Sequence, residues 1–189
     1  MIVRLGTVSN GVVNRAGLIV TGLAATLIGD LPIHGLEVGG RTSFLAVPTR
    51  AELINYRDTA FSGGAEYFFV MTLPEGADAG LGGIRLAQIR GVRPAFHLGP
   101  VQPTAFLGRP RRRGAQVGVR ADFSLDNREV EVRFAEPVAP GDTITVAFRV
   151  NINPPADLYL FSVSASPWGP DPISQPVGVV RMSVFSAVP

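Results

Sequence analysis

Cysteine and lysine are both missing from this chain, and histidine occurs only at His34 and His97. Without cysteine there is no disulfide staple, no thiolate nucleophile and no thiolate metal site, so stability has to come from the packed core. Two histidines far apart in sequence do not make a three- or four-ligand metal set. A Ser-His-Asp arrangement needs His97 as general base beside a positioned serine, and no G-x-S-x-G turn is present. The Gly80-Leu81-Gly82-Gly83 stretch lacks the Lys-Ser/Thr and helix of a phosphate-cradling loop. Glu129 and Glu131 are one candidate carboxylate pair, but they alternate with apolar residues and read as a solvated strand face rather than a glycosidase pair. The sequence therefore offers no catalytic residue, no resident metal site and no cofactor motif.

The charge is as spare as the chemistry. All 17 basic residues are arginine, which a GC-rich genome explains most simply, and 15 acids leave a formal net charge of +2. The sequence pI of 9.7 reflects how few groups titrate between about pH 5 and 10, not a basic surface. A general nucleic-acid binder needs a broad basic face, and this composition excludes one. Glycine (22) and proline (16) are plentiful, which favours turns over long helices.

Residues 1–35 read as a targeting segment. Arg4 and Arg15 supply a positive start, no acid precedes Asp30, and Ala16 to Gly29 is apolar. That run suits a signal-peptide core and is short of the about 20 residues of a membrane span. Cleaved secretion is the leading reading. An uncleaved membrane tether, a misplaced start and a buried helix are the alternatives. No A-x-A cleavage site is present, and no cysteine follows for a lipid anchor. Cleavage just before His34 would expose an N-terminal histidine, a good copper ligand together with its own amine.

Residues 36–189 then read as one domain of strands. Ala65 to Leu73 (A-E-Y-F-F-V-M-T-L) predicts a central strand buried on both faces. Thr42 to Val47, Glu52 to Arg57, Ile84 to Ile89, Val119 to Leu125, Glu129 to Phe134, Thr143 to Val150, Tyr159 to Ala165 and Val177 to Phe185 are further strands. Phe96 and Leu98 suggest another short one. In the alternating runs, Val130, Val132, Phe134, Ile144, Val146, Phe148 and Val150 face inward. Asp126-Asn127 and the P-V-A-P-G-D stretch from Pro137 are turns. The expected fold is all-β: an antiparallel immunoglobulin-like β-sandwich of about nine strands, with a closed barrel as the alternative. Residues 99–118, broken by prolines and glycines, read as the longest irregular stretch, a candidate functional loop.

That stretch holds the densest local feature. Phe106 to Gly114 reads F-L-G-R-P-R-R-R-G, with Arg109, Arg111, Arg112 and Arg113 in a row of five positions and no acid nearer than Asp122. Guanidinium forks bind carboxylate, sulfate and phosphate bidentately. The block is therefore a candidate ligand site for an anionic polysaccharide, a lipid headgroup or an acidic protein. The competing reading is a solvated loop whose arginines pair with scattered acids or stack on aromatic rings. Trp168, in S-P-W-G-P-D-P, is either a sugar-stacking platform or a lid packed over the sandwich end.

Several blocks in order resemble a secreted cyanobacterial family of unknown function. They are Gly64-Ala65-Glu66-Tyr67-Phe68-Phe69 with Leu73-Pro74, Gln88 to Gly91, Phe106 to Gly114, Val130 to Gly141, Tyr159 to Pro167 and, loosely, Gly178 to Phe185. The resemblance covers roughly residues 45–186. The family's F-P-A-G is replaced here by Ser166-Pro167-Trp168-Gly169, and Asn151 to Asp157 is shortened and proline-rich. The resemblance implies a cyanobacterial, extracytoplasmic protein and no particular activity. Taken together, the expectation is a non-enzymatic secreted, periplasmic or membrane-tethered binding or structural module of the cell envelope. Its alternative is periplasmic copper handling through His34 or His97.

Overall fold

Alternation of β-branched and aromatic residues with polar ones writes strand after strand into this chain, and each finds an antiparallel partner. The computed structural model describes residues 36–96, 101–124, 126 and 128–187. A short ribbon, β1 (Leu36–Val38) with β2 (Arg41–Ser43), comes first. Ten longer strands follow: β3 (Ala51–Asn55), β4 (Gly63–Thr72), β5 (Leu81–Arg90), β6 (Thr104–Arg109), β7 (Arg112–Val117), β8 (Val119–Ser124), β9 (Glu129–Val138), β10 (Thr143–Ile152), β11 (Asp157–Pro167) and β12 (Gln175–Val184). They form two five-stranded sheets, β3-β4-β10-β6-β7 and β12-β11-β5-β9-β8. This is the expected immunoglobulin-like sandwich, with two strands, β6 and β7, where residues 104–117 were expected to be a loop, while the strand expected over Thr42 to Val47 is confined to β2 and belongs to the separate ribbon. The helical content described is a single 3-10 turn, Glu75–Ala77.

The two inner faces meet through aromatic rings. Phe69 on β4 stands edge-on to Phe148 of β10 at 5.6 Å and to Phe161 of β11 at 5.6 Å. Phe96 reaches in from the connection after β5 and packs 5.0 Å from Phe148 and 5.6 Å from Phe161. Edge-to-face rings of this kind add about 0.5–1.5 kcal/mol each beyond area burial. Val130, Val132, Phe134, Ile144, Val146, Phe148 and Val150 all point inward as their alternation requires. Met71 and Met182 are core residues. Phe96 serves the core from a turn rather than from a strand, which corrects the expectation of a strand there; Leu98 lies outside the described residues.

β4 is buried on both sides, as its sequence predicts: Tyr67, Phe69 and Met71 face the core, while Phe68 and Val70 face outward and are still only 3% exposed. Something covers the outer face of this sheet, and that cover is the arginine block.

Candidate functional site

The register lays out the outer face of the first sheet in rows. One row runs Glu52, Val70, Thr145, Phe106, Gln116 from β3 to β7; the next runs Ile54, Phe68, Ala147, Thr104. Phe68, Val70, Phe106 and Ala147 form a second, small apolar cluster there, with Ile54 packed against it. β6 and β7 are a hairpin, and its tip folds back across this cluster. The bend is made at Gly108, whose φ of +86° is a left-handed value and whose absent side chain leaves room for the Arg112 carbonyl. The pairing register slips between Phe106 and Gly108, the mark of a β-bulge. The Thr145 hydroxyl donates to the Gly108 carbonyl at 2.6 Å and pins the bend to β10. The F-L-G-R-P-R-R-R-G block is thus a bulged hairpin, and the irregular loop expected over 99–118 is corrected: proline and glycine there shape a turn and a bulge inside two paired strands.

The four arginines of the block take different places. Arg109 reaches over β10 and β4 to a bidentate ion pair with Glu52. That hydrogen bond, with the guanidinium charge, holds the Glu52 carboxyl below its ordinary range and pushes Arg109 up. Arg111 lies over the Tyr56 ring at 5.0 Å, and Arg113 lies over Phe106 at 4.7 Å and Phe68 at 5.7 Å. Arg113 also donates from Nε to the Pro110 carbonyl at 3.3 Å. The Arg112 side chain is exposed and makes no hydrogen bond, ion pair or ring contact among the described residues. Three guanidiniums therefore cover the outer aromatic shelf, through stacking and one ion pair, and only Arg112 stands clear. A guanidinium held over a ring still has N–H groups with which to meet a further partner.

Trp168 lies elsewhere, against the second sheet. It is 40% exposed and lines a half-open groove of about 390 Å³ with Arg85, Glu131, Arg133, Ser166 and Pro172. The floor of the groove is bare backbone at Gly82 and Gly83. A Cβ at Gly83 would come within 2.7 Å of the Val132 carbonyl, and one at Gly82 within 2.9 Å of the Pro167 carbonyl. The register of β5 breaks here against both neighbours, β9 and β11. The segment carrying Trp168 is tied down at each end. The Trp168 N–H donates to the Gly80 carbonyl at 2.7 Å, both the N–H and the hydroxyl of Thr42 donate to Pro170, and the Ile173 N–H donates to Thr42. These bonds fix the backbone that carries the ring, and the ring forms one wall of the groove.

Other motif residues are structural. The Gln88 side chain accepts from the Ala95 N–H and donates to the Arg93 carbonyl, both at 2.8 Å, and so closes the turn that delivers Phe96 to the core. Gly91, at φ +132°, makes room for the Tyr159 ring. The Tyr159 hydroxyl donates to the Pro155 carbonyl four residues upstream at 2.8 Å, in the manner of the tyrosine corner of immunoglobulin-like domains. The sequence reading missed Asn153. It is 1% exposed, accepts from the Tyr67 hydroxyl at 2.8 Å and donates to the carbonyls of Arg57 and Thr59. A lone asparagine before two prolines carries no signal of such a hub, because its partners lie nearly a hundred positions earlier.

Glu129 and Glu131 lie on the outer face of β9 in ion pairs with Arg85 and Arg133, the solvated-face reading. His34, His97 and the segment 1–35 lie outside the described residues. Among the described residues, no three ligating side chains cluster into a metal site, and no helix is long and apolar enough to cross a membrane.

Fold and site together define an all-β, immunoglobulin-like sandwich with an arginine-capped aromatic shelf on one sheet and a tryptophan-walled groove on the other. Residues 41–184 match a family described as a protein of unknown function (DUF2808), and the chain belongs to that family. No curated protein matches the sequence. Three solved structures are similar at low identity. The bacterial hydrophobin BslA is 10% identical over 76% of this chain and 99% of its own, with a TM-score of 0.47. Domains D2 and D3 of the major pilin SpaD from Corynebacterium diphtheriae are 14% identical over 71% of this chain and 52% of theirs, at 0.46. The collagen-binding subdomain ACE19 of the Enterococcus faecalis surface protein ACE is 12% identical over 70% and 92%, at 0.38.

Proposed function

We propose that this protein is a non-enzymatic, extracytoplasmic binding module of the cyanobacterial cell envelope, and that the arginine hairpin is the part that meets an anionic ligand. One observation carries the reading: the guanidiniums of Arg111 and Arg113 are held over the rings of Tyr56, Phe106 and Phe68 beside Arg112, which is exposed and whose side chain makes no hydrogen bond or ion pair among the described residues. A guanidinium fixed in this way has already lost most of its rotamer freedom, so an anion meeting its edge pays less ordering entropy. The ligand chemistry is carboxylate, sulfate or phosphate, as carried by an acidic polysaccharide, a lipid headgroup or an acidic protein. The extracytoplasmic setting is supported by the apolar segment at residues 16–29; the cyanobacterial setting is supported by the order of the sequence blocks.

The test is retention of the protein on immobilised polygalacturonate and on phosphatidylglycerol vesicles across a salt series. Retention is expected to fall steeply as salt shortens the screening length. Arg112→Ser should weaken it. Glu52→Gln should strengthen it, because it releases Arg109 from its internal partner. Absence of retention at low salt, or retention indifferent to both variants, sinks the proposal.

A further inference from the structure

We propose that the groove walled by Trp168 is a binding site for a neutral saccharide, independent of the arginine hairpin and on the opposite sheet. A pyranose ring has an apolar C–H face and an edge of hydroxyls. It needs a flat aromatic wall for the first, and donors and acceptors side by side for the second. Trp168 supplies the wall, and its position is set by the hydrogen bonds of Gly80, Pro170 and Ile173 that brace the loop around it. The rim supplies the rest: the guanidiniums of Arg85 and Arg133 as donors, the Glu131 carboxylate as acceptor, and the Ser166 hydroxyl as either. Gly82 and Gly83 leave the floor without side chains, and the double break in β5 register opens the space. A bulge that re-aims strands beside a cavity is a recurring feature of binding sites.

Charge decides the ligand class. Arg85 is paired with Glu129, and Arg133 with Asp122 at 3.2 Å and Glu131 at 3.1 Å. Among the described residues each cation of the groove is therefore paired, in contrast to the exposed Arg112 of the hairpin. A proline-rich peptide is the rival occupant, but recognition of that kind uses a slot between several aromatic rings. Here the lining has a single exposed aromatic ring, Trp168, flanked by Pro167 and Pro172 and by the charged rim rather than by further exposed rings.

Trp168 is the chain's lone tryptophan, so its emission reports on this groove alone. The full chain is titrated with cellotetraose and with chitotetraose at low and high salt, by tryptophan emission and by calorimetry. The expected result is a saturable emission change with either sugar at an affinity that salt does not alter. By calorimetry, Trp168→Ala should weaken binding by about tenfold or more, while Trp168→Phe, which keeps a stacking face and the fold, should retain most of it. No response to either tetrasaccharide overturns the proposal. So does binding that survives Trp168→Ala, or a response to decaproline in place of the sugars. Salt-sensitive binding would transfer the ligand to the hairpin and overturn it as well.

Discussion

Removing Arg113 separates the two jobs of the arginine block. Its guanidinium lies over two rings, Phe106 at 4.7 Å and Phe68 at 5.7 Å, which are themselves only 5% and 3% exposed. A cation over an aromatic face at a surface site is worth about 0.5–1 kcal/mol, so two such contacts put the cost of Arg113→Ser at about 1–2 kcal/mol. The side-chain stem also shields the small apolar cluster on this face, which holds the estimate toward its upper end. In a domain of this size that corresponds to a fall in Tm of roughly 2–8 °C. Arg112→Ser removes the same charge from the neighbouring position but no contact, so its effect should stay within about 0.5 kcal/mol. Arg113→Lys should recover little, because an ammonium cannot lie flat on a ring. The assay is reversible thermal or urea unfolding followed by circular dichroism, with the three variants beside the parent chain. An Arg113→Ser protein as stable as the parent, or an Arg112→Ser protein equally destabilised, refutes the stacked-lid reasoning. A triple serine variant of Arg111, Arg112 and Arg113 would mix lost ligand contact with a loosened hairpin, so the ligand test is best made at Arg112.

Two further outcomes follow from the interior. Burial pushes the Tyr67 hydroxyl well above its ordinary value of 10.0, so the fold favours the neutral phenol. That stability is complete below pH 10 and is lost above it at about 1.4 kcal/mol per pH unit as the unfolded chain ionises first; urea midpoints measured upward from pH 10 should fall, and Tyr67→Phe should flatten that slope. An unchanged slope in the variant would place the alkaline loss elsewhere, with Tyr159, also pushed up by burial, the next group to substitute. Gly91→Ala combines a left-handed φ with overlap of the Tyr159 ring, and should cost about 2–4 kcal/mol in denaturant unfolding; a loss under about 0.5 kcal/mol would show that the turn relaxes around the added methyl.

Much of the sandwich was legible from local pattern. The alternation of Val130, Val132 and Phe134, and of Ile144 through Val150, states which face of each strand is buried, because side chains in a strand repeat every second residue. The two-sided burial of Tyr67 to Met71 was legible for the same reason: a strand without polar alternation has no face for water. Residues 104–117 were misread because the same prolines and glycines that break strands also build bulges and tight turns, and only the partner strand distinguishes the two. The family-like blocks turn out to be largely devices of the fold: Gln88 and Gly91 around Tyr159, Gly108 at the hairpin bend, Gly141 in the turn that returns its N–H to Leu73.

What the sequence determined by itself was the class of fold, the inward face of most strands, and the position of the arginine cluster along the chain. These are consequences of composition and of short-range period. The tertiary structure alone decided what the arginines do. Arg109 meets Glu52 and Arg111 meets Tyr56 only because β3 and β6 lie in one sheet, three strand intervals apart. Trp168 lines a groove because Thr42, Gly80 and the Gly82-Gly83 bulge converge on its segment from distant parts of the chain. Pairing across such separations is settled by the burial of whole faces at once, and no local run of residues records it.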